Sequence, residues 1–360
     1  MMLKVGIFAP YVRNESTLAA TQFADWLVRL GMDVTYLTRG AVESGIHRYW
    51  DSRVRRHKGS SSTCRWAYGA SHLCWFVPDE EVYRQSKLVD PVNRKQFTRH
   101  FFVPTWSQWD NSSRSFMDFC DRIISLSKDM SQWLNAREEA SCIQGSRTWL
   151  TLTSPRLPLR FRHGRVEPGA VHMLSVLPKT TERDVGDIIL DVFDFLLATH
   201  ENLELRILPE SSVPCSWRRK ASRIRSVHGD RFSLLRPADY TDLGTYVRSS
   251  DWVYVCNTRH SYGGLLAEIA SYSVPMIAHD VPPVGGFISD GSNGRLIGCQ
   301  LHDRNYPIGD VNPDDIGEVL DSVLAEDSLY LKTLQLQSRK VLGRRQRAFG
   351  EKILQEFLAS

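Results

Sequence analysis

KVGIFAPYVRNESTLAATQFADWLVRLGMDVTYL, residues 4–37, decides the class of fold. Its first part, Lys4–Ala9, is an apolar run of strand length. A polar turn follows at Val12-Arg13-Asn14-Glu15-Ser16. Leu18, Phe23, Trp26, Leu27 and Leu30 then recur at three- and four-residue intervals, the repeat of a helix with one buried face. Gly31 stops the helix, and Val34-Thr35-Tyr36-Leu37 begins a second strand. Two strands joined through a helix return in parallel, so the chain opens a parallel α/β sheet.

The same rhythm runs outward from there. His72–Val77, Phe101–Val103 and Ile123–Leu126 read as strands, with a helical stretch around Lys128–Ala136. Residues 152–170 are rich in Pro, Gly and Arg and read as an interdomain connection. Beyond them the alternation restarts. Strands are expected at His172–Val176, Leu203–Leu208, Phe232–Leu235, Trp252–Cys256 and Pro275–Ala278. Helices are expected at Val185–Leu197, Trp217–Val227, Tyr240–Arg248 and Gly263–Tyr272, the first with Ile188, Ile189, Val192, Phe195 and Leu196 on its apolar side. Residues 330–358 read as helical throughout. A chain of 360 residues exceeds the roughly 250–300 that one core serves, so two Rossmann-like, doubly wound domains are expected, 1–165 and 170–328.

Composition narrows the class. The chain is 42% hydrophobic and 24% charged, as folded proteins are, and holds no apolar span long enough to cross a membrane. Residues 1–10 are apolar but short, without a small-residue cleavage site, and read as a strand and not a signal peptide. Seven scattered cysteines, with no CxxC pair, fit reduced thiols and a cytoplasmic location, in a host's cytoplasm if the protein is viral. Cys74 and Cys256 sit in apolar runs, where buried inert thiols are expected. Residues 1–168 hold 24 Lys and Arg against 16 Asp and Glu, a charge of +8, and the remainder holds 21 against 25, or −4.

Ligands bind open parallel sheets beyond the carboxyl ends of the strands. The most informative such place is Trp252–Tyr272, where a strand delivers Asn257-Thr258-Arg259-His260 and Gly263-Gly264 opens a helix. Paired glycines admit a ligand close to the backbone, and free N–H groups at a helix start favour phosphate. Glu268, further along the helix, suits the hydroxyls of a ribose. The plainer alternative is a tight turn followed by a solvated glutamate.

Several ordered segments resemble the nucleotide-sugar-binding domain of GT-B glycosyltransferases, in particular the retaining group called family 4. They are His172–Pro178 with Glu182-Arg183, Asn202–Leu208, Arg231–Leu235, Pro237–Leu243, Ser249–Val255, His260-Ser261-Tyr262-Gly263, Glu268, Ser273–Ala278 and Asp290–Ile297. The amino-terminal half is similar more loosely, through Lys4–Pro10, Leu30–Val34 and Cys120–Ser127. The resemblance implies two Rossmann-like domains facing a cleft. It also implies that helices within 329–360 pack back on the first domain, Phe349–Leu358 being similar to the closing helix.

It further implies a nucleotide-sugar donor, first a UDP-sugar, with no metal required; no Asp-x-Asp run is present. The family carries two glutamates eight positions apart. Here Glu268 matches the second, which contacts the ribose, while His260 stands in place of the first, which contacts the transferred sugar. The donor set carried over is Lys179, Arg183, Arg236, Arg259, Ser261, Tyr262, Gly263, Gly264 and Glu268, with His260 and Glu268 as the catalytic pair. Arg183 occupies the place of the family's lysine. Pro178 stands where its arginine would, with Lys179 one residue away.

Acceptors of such enzymes bind mainly to the first domain. Arginines interleaved with aromatics over residues 47–68 suit a nucleic-acid groove, charge for phosphates and rings for bases. Arg13, Asn14, Arg53, Arg55, Arg56, Lys58 and Trp66 are the candidate acceptor-binding residues, with a second tract at Arg156, Arg160, Arg162, His163 and Arg165. Trp75, Trp106 and Trp109 read as core or cleft wall. The expected acceptor is a 5-hydroxymethylated pyrimidine in DNA of the bacteriophage kind, flipped from the duplex. A saccharide or lipid acceptor, or a non-catalytic nucleic-acid-binding protein on this scaffold, are the alternatives.

Overall fold

A computed structural model describes residues 3–9, 15–38, 55–58, 70–77, 99–103, 116–117, 120–125, 147–149, 169–177, 183–236, 242–256, 264–270, 272–281, 284–299, 312–326, 330–338 and the single residues 340, 341, 344, 348, 351 and 355. The chain divides into two compact units. One takes in Met1–Arg156, Ser261–Gly264 and Arg344–Ser360, the other Leu157–His260 and Leu265–Gly343.

The first unit is built on a seven-stranded parallel sheet. Its strands are β1 (Lys4–Phe8), β2 (Asp33–Thr38), β3 (Arg55–Lys58), β4 (His72–Trp75), β5 (Arg99–Phe102), β6 (Arg122–Ser125) and β7 (Arg147–Trp149), in the order β3-β2-β1-β4-β5-β6-β7. Helix α1 (Glu15–Arg29) covers one face. Ala20, Phe23, Ala24 and Leu27 pack there with Val5, Ile7 and Tyr36, while Phe8, Leu37 and Trp75 fill the other face with Phe102 and Phe116. Alternate residues of β1 thus enter different cores, as strands buried on both faces require. Gly31, at φ 84°, ends α1: its N–H donates to Val28 and that of Met32 to Leu27. A left-handed residue closing the last turn in this way favours glycine.

The second unit holds a six-stranded parallel sheet of β8 (Val171–Leu177), β9 (Leu203–Pro209), β10 (Phe232–Leu234), β11 (Trp252–Val255), β12 (Met276–His279) and β13 (Gly294–Ile297). Their order is β10-β9-β8-β11-β12-β13. Helices α2 (Arg183–Thr199), α3 (Cys215–His228) and α6 (Pro313–Leu324) pack on one face, and α4 (Leu243–Arg248) and α5 (Gly264–Ala270) on the other. A further helix, α7, runs over 330–338. Gly186 of α2 sits under the Trp217 ring of α3, and a Cβ there would come within 1.7 Å of it. Lys220 pairs with Asp191 at 2.6 Å, and Asp194 accepts from both Arg223 and His228.

Three readings of the sequence change. Phe195, expected on the buried side of α2, is 63% exposed, whereas Phe193 is fully buried against Tyr254. Two positions turn a helix by about 200°, so the two rings cannot share one side. Arg55–Lys58, read as part of a basic loop, is the edge strand β3, paired in register with Thr35–Thr38. Glu268 is buried, 5% exposed, which removes the solvated-glutamate alternative. Trp75 lies in the core, and Cys74 and Cys256 are buried, burial pushing the Cys74 thiol far above its usual range. The helix expected around Lys128–Ala136, Trp106, Trp109, the tract Arg156–Arg165 and most of the connection at 152–170 lie outside the described residues.

Tyr254 and His279 meet inside the α2 side of the second sheet, Tyr254 Oη and His279 Nε2 lying 2.8 Å apart. The other ring nitrogen of His279 has no hydrogen-bond partner. Burial pulls the imidazole down to about 4. The folded chain therefore keeps His279 neutral down to about pH 4, while the unfolded chain protonates it below about 6.5. Its contribution is intact above pH 6.5 and is lost as the pH falls toward 4, a loss of about 3 kcal/mol. Urea unfolding at both ends of that range measures it. The wild type is expected to lose about that much more stability than His279→Gln, and equal losses would assign the effect to other groups.

Candidate functional site

Strand order reverses once in each sheet, and that reversal decides where a ligand fits. In the second unit the chain proceeds from β8 outward through β9 to β10, then returns to β8's other side and proceeds through β11, β12 and β13. The helices that follow β8 and β11 therefore lie on opposite faces, α2 on one and α5 on the other. A crevice opens at such a point beyond the carboxyl ends of the two strands.

The segments that leave those two ends are 178–182 and 257–263. Between them they carry Lys179, Arg259, His260, Ser261, Tyr262 and Gly263, all outside the described residues. Arg183 is the first residue of α2 and Gly264 the first of α5. Glu268 follows within α5, buried but engaged with a partner. Eight of the nine donor-set residues thus lie in the sequence segments that follow β8 and β11 or in the helices after them. Arg236 differs. It is exposed just beyond β10, and β9 and β8 separate it from the reversal by about 10 Å.

The β8–β11 pair is held by hydrogen bonds at both its ends, the amino end first. Asp251 N–H donates to the His172 carbonyl at 2.7 Å, and the Asp251 carboxylate accepts the His172 N–H at 2.9 Å. At the other end the Cys256 N–H donates to Val176 at 3.1 Å. The sequence reading did not single out Tyr254 and His279, whose buried hydrogen bond stands just before the loop at 257. Each is one polar residue inside an apolar run, a weak signal in itself. Among the described residues, no cluster of three or more His, Cys, Asp or Glu is placed to hold a metal ion.

The first sheet repeats the arrangement, with its reversal between β1 and β4. Arg13 and Asn14 lie outside the described residues, in the segment that leaves β1 at that reversal. Arg55, Arg56 and Lys58 lie on β3, at the far edge beyond β2, so the fold does not put them at the same reversal. Arg53 and Trp66 lie outside the described residues. No helix among the described residues is long and apolar enough to cross a membrane.

No protein-family model matches the chain, and no curated protein does. Solved structures match it along almost its whole length. The pneumococcal O-GlcNAc transferase GtfA, in complex with UDP and GlcNAc, aligns with a TM-score of 0.73 at 10% identity over 99% of each chain. Sucrose-phosphate synthase from Thermosynechococcus elongatus aligns at 0.69 and 13% identity, over 99% of this chain and 100% of that one. A protein of Listeria monocytogenes assigned as a UDP-N-acetylglucosamine 2-epimerase aligns at 0.63 and 13% identity, over 100% and 98%. With its two parallel sheets and their covering helices, the chain has the GT-B fold of two Rossmann-like domains.

Proposed function

We propose that this chain is a retaining glycosyltransferase that takes a sugar from a nucleoside diphosphate donor, with UDP as the first candidate nucleotide. One observation carries the reading: the two loops bearing the cations and the glycine pair leave the adjacent strands β8 and β11 at the reversal of the second sheet. UDP in the GtfA structure supports the choice of nucleotide. In this reading Lys179, Arg183 and Arg259 face the diphosphate and Glu268 holds the ribose. His260 donates to the transferred sugar, in the role that the first glutamate has in family 4. The anomeric carbon–phosphate oxygen bond breaks and a bond to the acceptor oxygen forms on the same face. The acceptor's proton passes to the departing diphosphate. The barrier falls because positive charge already faces the oxygen that becomes anionic, so the chemistry needs positioning and electrostatics more than a strong base.

The acceptor we propose is a 5-hydroxymethylated pyrimidine in DNA. The +8 charge of residues 1–168 and the arginines and aromatics interleaved over 47–68 support it. The edge position of β3 bears on how it works: Arg55, Arg56 and Lys58 would meet the duplex backbone at a distance from the reacting base, while Arg13 and Asn14, in the segment that follows β1, would be nearer to it. The carbohydrate chemistry named for GtfA and sucrose-phosphate synthase favours a second reading, with a saccharide or glycosylated acceptor.

Nucleoside mass spectrometry after incubation with UDP-, GDP- and ADP-sugars and plain or 5-hydroxymethylated duplex DNA tests the proposal. The expected result is a hexose or pentose mass gain on the modified base alone. Donor hydrolysis without that gain would remove DNA as the acceptor and keep the transferase. Conversion of the donor's own sugar to an epimer, or no turnover of any donor, would overturn the transferase. In the same assay Glu268→Gln, nearly isosteric and so compatible with the buried site, is expected to lower transfer at least about a hundredfold, the scale of a lost charge-assisted contact in a reacting complex. Unchanged transfer would remove Glu268 from the site.

A further inference from the structure

Helices α3, α2 and α6 lie side by side on one face of the second sheet, with α2 in the middle. The Trp217 ring over Gly186 joins α2 to α3, and His200 just past its end reaches Asp321 of α6 at 2.7 Å. Buried residues of all three helices share a single core, so their outer sides form one surface. That surface is divided by charge. Helix α3 carries five Lys and Arg and no acidic residue, whereas α6 carries four Asp and Glu and no basic one. Arg218, Arg219 and Arg225 are exposed on one flank, and Asp314, Glu318 and Asp321 on the other. Between them α2 presents Phe195, 63% exposed, beside Asp191, whose exposed carboxylate Lys220 of α3 pairs at 2.6 Å within the same copy. Val227 on α3, 70% exposed, adds a second apolar group.

We propose that this helical layer is the interface of a homodimer, in which a second copy docks face to face about a two-fold axis running along α2. An isologous contact must be complementary to itself. Rotation about an axis along α2 lays α3 of one copy over α6 of the other, twice, and sets the two Phe195 rings near the axis. Rotation about the perpendicular in-plane axis would instead lay α3 on α3 and α6 on α6, like charge against like. The charge division therefore selects both the partner and the orientation. Near the axis the Phe195 ring is joined by Asp191, whose charge Lys220 already pairs within each copy, so the unpaired charges lie on the flanks.

The area sets the strength. Three helices of this length, packed side by side, present a face of roughly 20 Å by 30 Å, or about 600 Å² on each copy. That is below the roughly 800 Å² per partner of a standard interface, so the dimer is weak and salt-sensitive.

Sedimentation velocity of the full chain over a micromolar to high-micromolar series, at low and at raised salt, tests this. The expected result is concentration-dependent dimerisation that weakens as salt rises. Arg219→Glu and Glu318→Arg alter exposed side chains and are each expected to weaken it about tenfold, since each reversal acts twice across the axis. An equimolar mixture of the two variants is expected to associate more tightly than either alone, because one of its two flanks again pairs opposite charges at the altered positions and the other is wild-type. A wild type that stays monomeric throughout would overturn the proposal. So would variants that dimerise like the wild type, or a mixture that associates no better than its components.

Discussion

The parallel pairing of β8 with β11 is the contact on which the candidate site depends. Trp252 to Val255 run in register with Met173 to Val176, and the two hydrogen bonds between Asp251 and the His172 backbone fix where that register begins. Side chains alternate along a strand, so a slip of one residue would turn Tyr254 out of the α2 core and Val253 and Val255 into it. The ends from which the chain leaves β8 and β11 would shift with it. The apolar residues on both faces of these strands are therefore as much a condition of the site as the residues in the loops. This is also why structures at 10–13% identity keep the fold: what is shared is burial on alternating faces, which many sequences satisfy.

Each unit carries one reversal, and the two differ in what the chain places there. In the second sheet the segments that follow β8 and β11 carry cations and, after β11, paired glycines in their sequence. In the first, Arg13 and Asn14 follow β1, but the densest basic run sits at an edge strand. The charge difference between the halves thus has two physical meanings. Local cations at a sheet reversal offset the charge of a small anion, whereas a basic edge raises the attraction of the whole domain for an extended polyanion. The acidic α6 and basic α3 show that even the net-negative half has regions of opposite sign.

Much of this was legible in the sequence, for identifiable reasons. The central strands are short apolar runs because parallel strands are covered on both faces, and the helices between them keep a 3.6-residue repeat. Of the edge strands, β10 was legible as an apolar run, whereas β3, β7 and β13 were not. Arg-Arg-His-Lys at β3 has no apolar residue to read, and it is a strand because β2 offers it a ladder of backbone partners. Phe195 was misplaced because α2 has an apolar stripe wide enough to admit either Phe193 or Phe195, and only the neighbouring Tyr254 decides between them. Helix α6 was overlooked although its start is written plainly. Asn312 caps Asp314 N–H at 3.1 Å, followed by Pro313 at the first turn and two acidic residues. In the site, the loops and Glu268 could be found from glycine, charge and resemblance, whereas the burial of Glu268 depends on packing that no local pattern encodes.

Photo-crosslinking with an azido-UDP-sugar, followed by peptide mapping, tests the central claim most directly. The account predicts label in peptides spanning residues 178–183 and 257–268, removed by competing UDP. Label confined to residues 1–156, or label that UDP does not displace, would contradict it.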